Sequence, residues 1–283
     1  MARRPRLQFP GAIYHVMSRG NRKSPIFEDD HDRRVFVDTV NDAVERYAIR
    51  CYAFCLMNNH YHLVIDTPRG NLSDAMRQIN GVFTQSTNRR YQRTGHLFEG
   101  RFKSIVVQRE SYLRRVARYV VLNPVRARLV VDASAWQWSS YRSTAGLELG
   151  PSHLYTDWID WAFAGADRHE SQRKYRLFVN DAIKRHSKID HSTPVLGTPA
   201  FMEAVRADTA AAVSSEAPLP RVYRSLARPT LTDLFAMARS REGRNACICE
   251  AHVKYGYRLA EIASFLGLHP STASAVFRSK ARR

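Results

Sequence analysis

Cys51-Tyr-Ala-Phe-Cys-Leu-Met-Asn-Asn-His60-Tyr-His-Leu-Val-Ile65 consists of two short apolar runs separated by Met57-Asn58-Asn59. Runs of this length, rich in aromatic and branched side chains and parted by turn residues, predict two consecutive β-strands. Residues two apart in a strand face the same way, so His60 and His62 project side by side. Neutral imidazole is the commonest side-chain metal ligand. The pair is therefore either half of a divalent-metal site or a strand face that carries two histidines for packing. Cys51 and Cys55 are expected on one face of the first run, as small buried hydrophobes.

The elements on either side extend this hairpin. Upstream, Ala12 to Met17 reads as a first strand closed by Ser18-Arg-Gly-Asn-Arg22. Asp29, Asp30 and Asp32 then open a helix, where acidic groups suit the dipole. Phe36, Val40, Ala43, Val44 and Tyr47 recur at helical spacing along it. Downstream, Leu72, Met76, Ile79, Val82 and Phe83 form a second helical stripe, capped by Asn71 or Ser73. Phe102 to Val107 reads as a strand, and Glu110 to Leu122 as a helix stopped by Asn123-Pro124. The order β-α-β-β-α-β-α predicts an α+β domain, an antiparallel sheet of ferredoxin-like type with helices on one face.

Charge bounds the partners. The 283 residues carry 44 Lys and Arg against 26 Asp and Glu, a net charge of +18. Such an excess points to a polyanion, most simply nucleic acid, with a membrane surface as the competing reading. No long uncharged apolar run is present and the first residues lack a signal-peptide core, so no membrane partner and a cytoplasmic location are expected. Cys51, Cys55, Cys247 and Cys249 do not match zinc spacing.

A second motif is Arg118-Tyr119-Val-Val-Leu-Asn123-Pro124-Val-Arg126. On a helix, Tyr119 and Asn123 share a face. Asn123 offers a carbonyl oxygen suited to Mg²⁺ or Mn²⁺, and Tyr119 a phenol able to attack phosphorus. A core tyrosine followed by an ordinary helix stop is the competing structural reading. Arg115, one turn before Tyr119, is either the partner of a phenolate or part of a solvated helix face that meets phosphates non-specifically. Arg101, Lys103, Arg115, Arg118 and Arg126 belong to an Arg-rich stretch suited to phosphate forks. Arg3, Arg4 and Arg6 form a basic arm, either solvated or tracking DNA.

Leu56-Met-Asn-Asn-His-Tyr-His-Leu-Val-Ile65 and Tyr119-Val-Val-Leu-Asn-Pro-Val-Arg126, in this order, resemble the motifs of REP-associated tyrosine transposases. These belong to the single-tyrosine HUH transposases and nucleases. The resemblance covers residues 8–145 and extends to Gly95-His-Leu-Phe-Glu-Gly-Arg-Phe-Lys103 and Trp136-Gln-Trp-Ser-Ser-Tyr141. It implies that His60, His62 and Asn123 bind Mg²⁺ or Mn²⁺ and that Tyr119 is the nucleophile. It further implies cleavage of single-stranded DNA beside a hairpin, in palindromic repeats, through a 5′-phosphotyrosine.

The predicted layout is a catalytic domain over 1–145, a helical connector and linker over 146–227, and a helix-turn-helix module over 228–283. In that module Ala263 and Gly267 stand at helix-turn-helix spacing, with Ile262, Leu266, Leu268 and Val276 as its small core. Ser271, Thr272 and Ser274 would begin a recognition helix, and Arg278 and Lys280 would meet duplex phosphates. A plain helical bundle shows the same pattern. Two other functions remain open at this level: a non-catalytic DNA-binding regulator, and RNA in place of DNA.

Overall fold

The computed structural model describes residues 7–185, 193–213, 231–235, 238, 240–253 and 257–280. Arg3, Arg4 and Arg6 lie outside the described residues, as does the side chain of Lys280. The chain divides into two compact units, one of Gln8–Thr198 and one holding Leu7 and the described residues from Pro199 onward.

The larger unit begins with β1 (Ala12–Arg19), α1 (Asp30–Tyr47), β2 (Arg50–Leu56) and β3 (His60–Thr67). It continues with α2 (Leu72–Arg90), β4 (Lys103–Val107), α3 (Arg109–Val121) and the short α4 (Asn123–Arg126). Then come α5 (Tyr141–Thr144), α6 (Trp158–Phe163), α7 (Arg168–Arg185) and β5 (Val195–Leu196). The sheet order is β2-β3-β1-β4-β5. The first four strands pair antiparallel, as the pattern predicts, but β5 joins β4 in parallel and makes the sheet mixed.

Helices cover both faces of this sheet, not one. Tyr61 packs on Phe36 of α1 with ring centroids 4.6 Å apart, and its hydroxyl donates to Asn80 of α2 at 2.6 Å. Val64, on the opposite face, belongs to one core with Val116, Ala117 and Val120 of α3. β3 is consequently buried along nearly its whole length. Period-2 alternation signals a strand with one wet face. Here the polar residues of β3 are also covered, which the pattern alone does not reveal.

The expected cysteine pairing is also corrected. The β2–β3 register shifts between Cys51 and Ala53, so Cys51 opposes Ile65 while Cys55 opposes His62. Ile65 and His62 face opposite ways, and so do the two cysteines. A bulge adds one residue to a strand and inverts the alternation beyond it.

Residues after Tyr141 are part of the same core. Trp158, Tyr175, Val179 and Leu196 cluster with Tyr52 and Val116. Leu56 N–H donates to the Trp138 carbonyl and Tyr155 N–H to that of Cys51, covering the outer edge of β2. Pairing an edge in this way removes a template for aggregation.

The second unit contains α8 (Pro199–Val213), α9 (Leu231–Phe235), α10 (Arg241–Val253), α11 (Leu259–Phe265) and α12 (Pro270–Lys280). Within the predicted connector and linker over 146–227, α8 runs as far as Val213, through alanines that are strong helix formers. Ile248, Ala251, Tyr257 and Ile262 form its core, with Leu266 and Val276 packed against them. Gly267 adopts φ +64° after α11, a conformation that glycine enters without Cβ strain. Among the described residues no helix is long and apolar enough to cross a membrane.

Candidate active site

The turn between β2 and β3 is fixed from several sides before any chemistry is considered. The Asn58 carbonyl accepts from Ile26 and Phe27 N–H groups, and Arg33 donates to Asn58 Oδ1 at 2.8 Å. Asn59 Nδ2 donates to the Lys23 carbonyl at 2.9 Å. That bond orients the Asn59 amide, whose Oδ1 lies 2.7 Å from His60 Nδ1. An amide oxygen only accepts, so His60 carries its hydrogen on Nδ1 and keeps a lone pair on Nε2.

Register then assembles a polar patch on the α3 face. Arg19 opposes His60, and Met17 stands between His62 and Lys103 across three strands. Directly opposed residues share a face. Burial, followed by the positive charge of Arg19, lowers the His60 pKa to about 4. His62 is buried, and its Nδ1 lies 3.0 Å from Nε2 of the fully buried His15.

One end of α3 sets where the other arrives. Arg109, its first residue, donates to Asp66 at 3.1 Å and to the Tyr52 hydroxyl at 2.9 Å. From Arg109 to Tyr119 the helix rises about 15 Å, at ~1.5 Å per residue. From Asp66 back to His62 the strand spans about 13 Å, at ~3.3 Å per residue. The match brings Tyr119 over the histidines. Its ring lies 5.8 Å from that of His15 and 6.0 Å from that of His62, both edge-on.

The Asn123-Pro124 pair ends α3. Pro124 has no N–H to continue the ladder. The Asn123 side-chain amide instead donates to the carbonyls of Tyr119 and Val120, at 2.9 and 3.2 Å. Its nitrogen is thus engaged at the helix end, which leaves Oδ1 as the atom with ligand chemistry. Among the described residues no group of three or more His, Cys, Asp or Glu is arranged to hold a metal ion. A cation here depends on the two imidazoles and an amide or outside oxygen.

Arg126, not Arg115, accompanies the phenol. Its guanidinium sits 4.5 Å from the Tyr119 ring centroid and donates to the Tyr119 carbonyl at 2.9 Å. Burial raises the Tyr119 pKa above its ordinary value and the Arg126 charge opposes that rise. Arg115 lies over Tyr112 instead, and Arg118 stacks on Phe178 at 3.9 Å. The break at Leu122 turns Arg126 back toward the tyrosine, which helical spacing does not anticipate.

Two arginines ahead of that stretch, Arg90 and Arg93, are committed to the fold. Arg90 pairs with Asp29 and Asp32, and Arg93 with Glu28. Arg101 and Lys103 are exposed. In the second unit Ser271, Thr272 and Arg278 are exposed on α12, where Ser274 Oγ donates to the Pro270 carbonyl. Sequence reasoning passed over His15 and Arg19. His15 sits in plain alternation within Ile13-His15-Met17, yet nothing local marks which partner it meets.

Comparison with known proteins follows this geometry. Residues 8–123 match the family described as IS200-like transposases. A Haemophilus influenzae protein named as a REP-associated tyrosine transposase is 22% identical over 147 residues, covering 46% of this chain and 81% of its own. A solved structure of a REP-associated tyrosine transposase bound to a REP hairpin aligns at 18% identity with a TM-score of 0.46. It covers 55% of this chain and 92% of its own.

Proposed function

We propose, from the match of residues 8–123 to the IS200-like transposase family, that this chain acts on DNA and that its histidine and tyrosine patch cleaves and rejoins a strand. The observation that carries this reading is the ring contact of Tyr119 with His62, which joins a nucleophile to a ligand-bearing strand. The fit to a cation rests on chemistry: His60 keeps Nε2 for ligation, and the Asn123 Oδ1 is a hard donor. His60, His62 and Asn123 would hold Mg²⁺ or Mn²⁺. Such an ion offsets charge on a non-bridging phosphate oxygen and orients the phosphate for in-line attack.

The remaining work falls to side chains of this chain. Tyr119 Oη forms the bond to phosphorus while the bond to the leaving 3′-oxygen breaks, giving a 5′-phosphotyrosine and a 3′-hydroxyl. Arg126 favours the phenolate through its charge, against burial that disfavours it. Arg19 and Lys103, on the same sheet face, supply positive potential for the strand entering the site. The phosphodiester is exchanged and not hydrolysed, so a second 3′-hydroxyl can reverse the step. Single-stranded DNA beside a hairpin is the proposed substrate, in keeping with the motif resemblance. The unit from Pro199 onward is proposed to contact duplex DNA through α12.

A labelled hairpin-bearing oligonucleotide, incubated with the protein and Mg²⁺ or Mn²⁺, tests the assignment on a denaturing protein gel. A covalent adduct that disappears in Tyr119→Phe supports it. An adduct that persists in Tyr119→Phe removes Tyr119 as the nucleophile. DNA binding without any adduct, unchanged by chelation, would favour the regulator reading.

A further inference from the structure

His15 Nε2 lies 3.0 Å from His62 Nδ1, and both imidazoles are buried. They lie on neighbouring strands but are not opposed: Met17 opposes His62, and His15 opposes Val64. The contact is diagonal across one face, within reach of long side chains. The rings stack with centroids 5.1 Å apart and planes inclined by 26°. A buried imidazole without a partner for its polar atoms is costly, and an apolar ring would fill the same space without that cost. The polar contact therefore calls for a role beyond packing.

We infer that His15 is a positioning residue, which accepts a hydrogen bond from His62 Nδ1–H and so presents His62 Nε2 to a cation. This rests on the metal-binding role given to His62 above. Two neutral imidazoles in this geometry have one donor and one acceptor between them. If His15 donated, the hydrogen of His62 would sit on Nε2 and that nitrogen would have no lone pair for a cation. Ligation selects the other arrangement, in which His15 Nε2 accepts. Hydrogen bonding to the far nitrogen of a ligating histidine fixes its tautomer and its ring orientation.

The two histidines of the patch are thus set by different means. His60 is fixed by its sequence neighbour Asn59, whose amide oxygen only accepts. His62 is fixed by a residue 47 positions away. The ring of His15 also meets the edge of Tyr119. One side chain therefore sets the position of a ligand relative to the nucleophile, which strand alternation by itself cannot do.

The test uses the full chain, labelled with ¹⁵N and free of metal. Long-range ¹H–¹⁵N spectra report the imidazole tautomers directly, and His62 is expected as the Nδ1–H form. In His15→Phe that preference is lost, and Mn²⁺ affinity read by electron paramagnetic resonance falls about 10- to 100-fold. His15→Gln, whose Oε1 accepts, recovers most of the affinity. Circular dichroism establishes that each variant is folded; if His15→Phe is not, the wild-type tautomer and His15→Gln decide. An Nε2–H His62 in the wild type overturns the inference. So does unchanged Mn²⁺ affinity in folded His15→Phe, which leaves the metal site standing. A wild-type chain that binds no Mn²⁺ overturns the metal reading and the inference together.

Discussion

The two faces of β3 use the same backbone for opposite purposes. On one, Tyr61 meets Phe36, which in turn packs on Phe83 at 5.1 Å, and the face is closed by aromatic contact with α1 and α2. On the other, His60, His62 and Asp66 lie under α3 with polar partners, Asn59 beside His60 in sequence and His15 and Arg109 from distant parts of the chain. The apolar face gains stability with each carbon buried. The polar face has desolvation to offset at each residue, and does so through specific hydrogen bonds. The α3 face is apolar in part as well, since Val64 packs with Val116, Ala117 and Val120, and it differs in carrying buried polar groups beside that core.

Substitutions on the two faces should separate these roles. Tyr119→Phe should abolish covalent DNA capture, a loss of about 10³-fold or more for a missing nucleophile. Its unfolding free energy should stay within about 1 kcal/mol of wild type, because only a hydroxyl is removed. Adduct yield and urea denaturation measure the two quantities. Equal damage to both would erase the distinction between the faces.

Phe36→Ala should do the reverse. Its side chain is fully buried between α1, β3 and α2, and its loss should cost about 3–5 kcal/mol in a denaturant titration. Adduct formation per folded molecule should be preserved at low temperature.

Acid separates the faces less sharply. His153 packs against Phe54, and burial alone lowers its pKa to about 4. Phe54 opposes Leu63, on the apolar side of the sheet. In the unfolded chain the same imidazole takes its proton near pH 6.5. The unfolded state therefore binds more protons between these values, and stability falls as pH drops through the window. Complete titration corresponds to a loss on the order of 3 kcal/mol. Stability measured at pH 7 and pH 4 should diverge less in His153→Leu than in the wild type, with the residual slope including His60 on the polar face.

The smallest effect concerns the phenol. Arg126→Gln removes the charge that opposes the rise in the Tyr119 pKa, so adduct formation near neutral pH should slow by about 10-fold. Its alkaline limb should move to higher pH. A pH–rate series on both proteins reads this shift. An unchanged profile would show that Arg126 holds the helix end without influencing the nucleophile.

Much of the scaffold was legible because its elements are long or strongly periodic. The stripe of Phe36, Val40 and Ala43 and that of Met76, Ile79 and Phe83 became buried helix faces, and the order of the first seven elements followed. The strand alternation around His60 and His62 gave their shared face. The second covered face was not legible, because His62 and Asp66 keep polar residues at alternate positions of β3, the mark of a wet face, although both are buried. Nor was the bulge between Cys51 and Ala53, since one added residue changes orientation without a marked change in composition. Arg115 was the reasonable partner for Tyr119 on a continuous helix. The turn at Leu122 made it Arg126.

Sequence by itself determined the first four strands, the three long helices packed on them and the basic character, because these depend on local periodicity and side-chain chemistry. Only the tertiary structure decided that Arg109 anchors α3 at Asp66 and that Tyr119 therefore lies over His62. It likewise decided that His15 meets His62 and that Arg126 meets the phenol. Those are distances between residues remote in sequence, and they are set by register, helix rise and packing, which no local pattern carries.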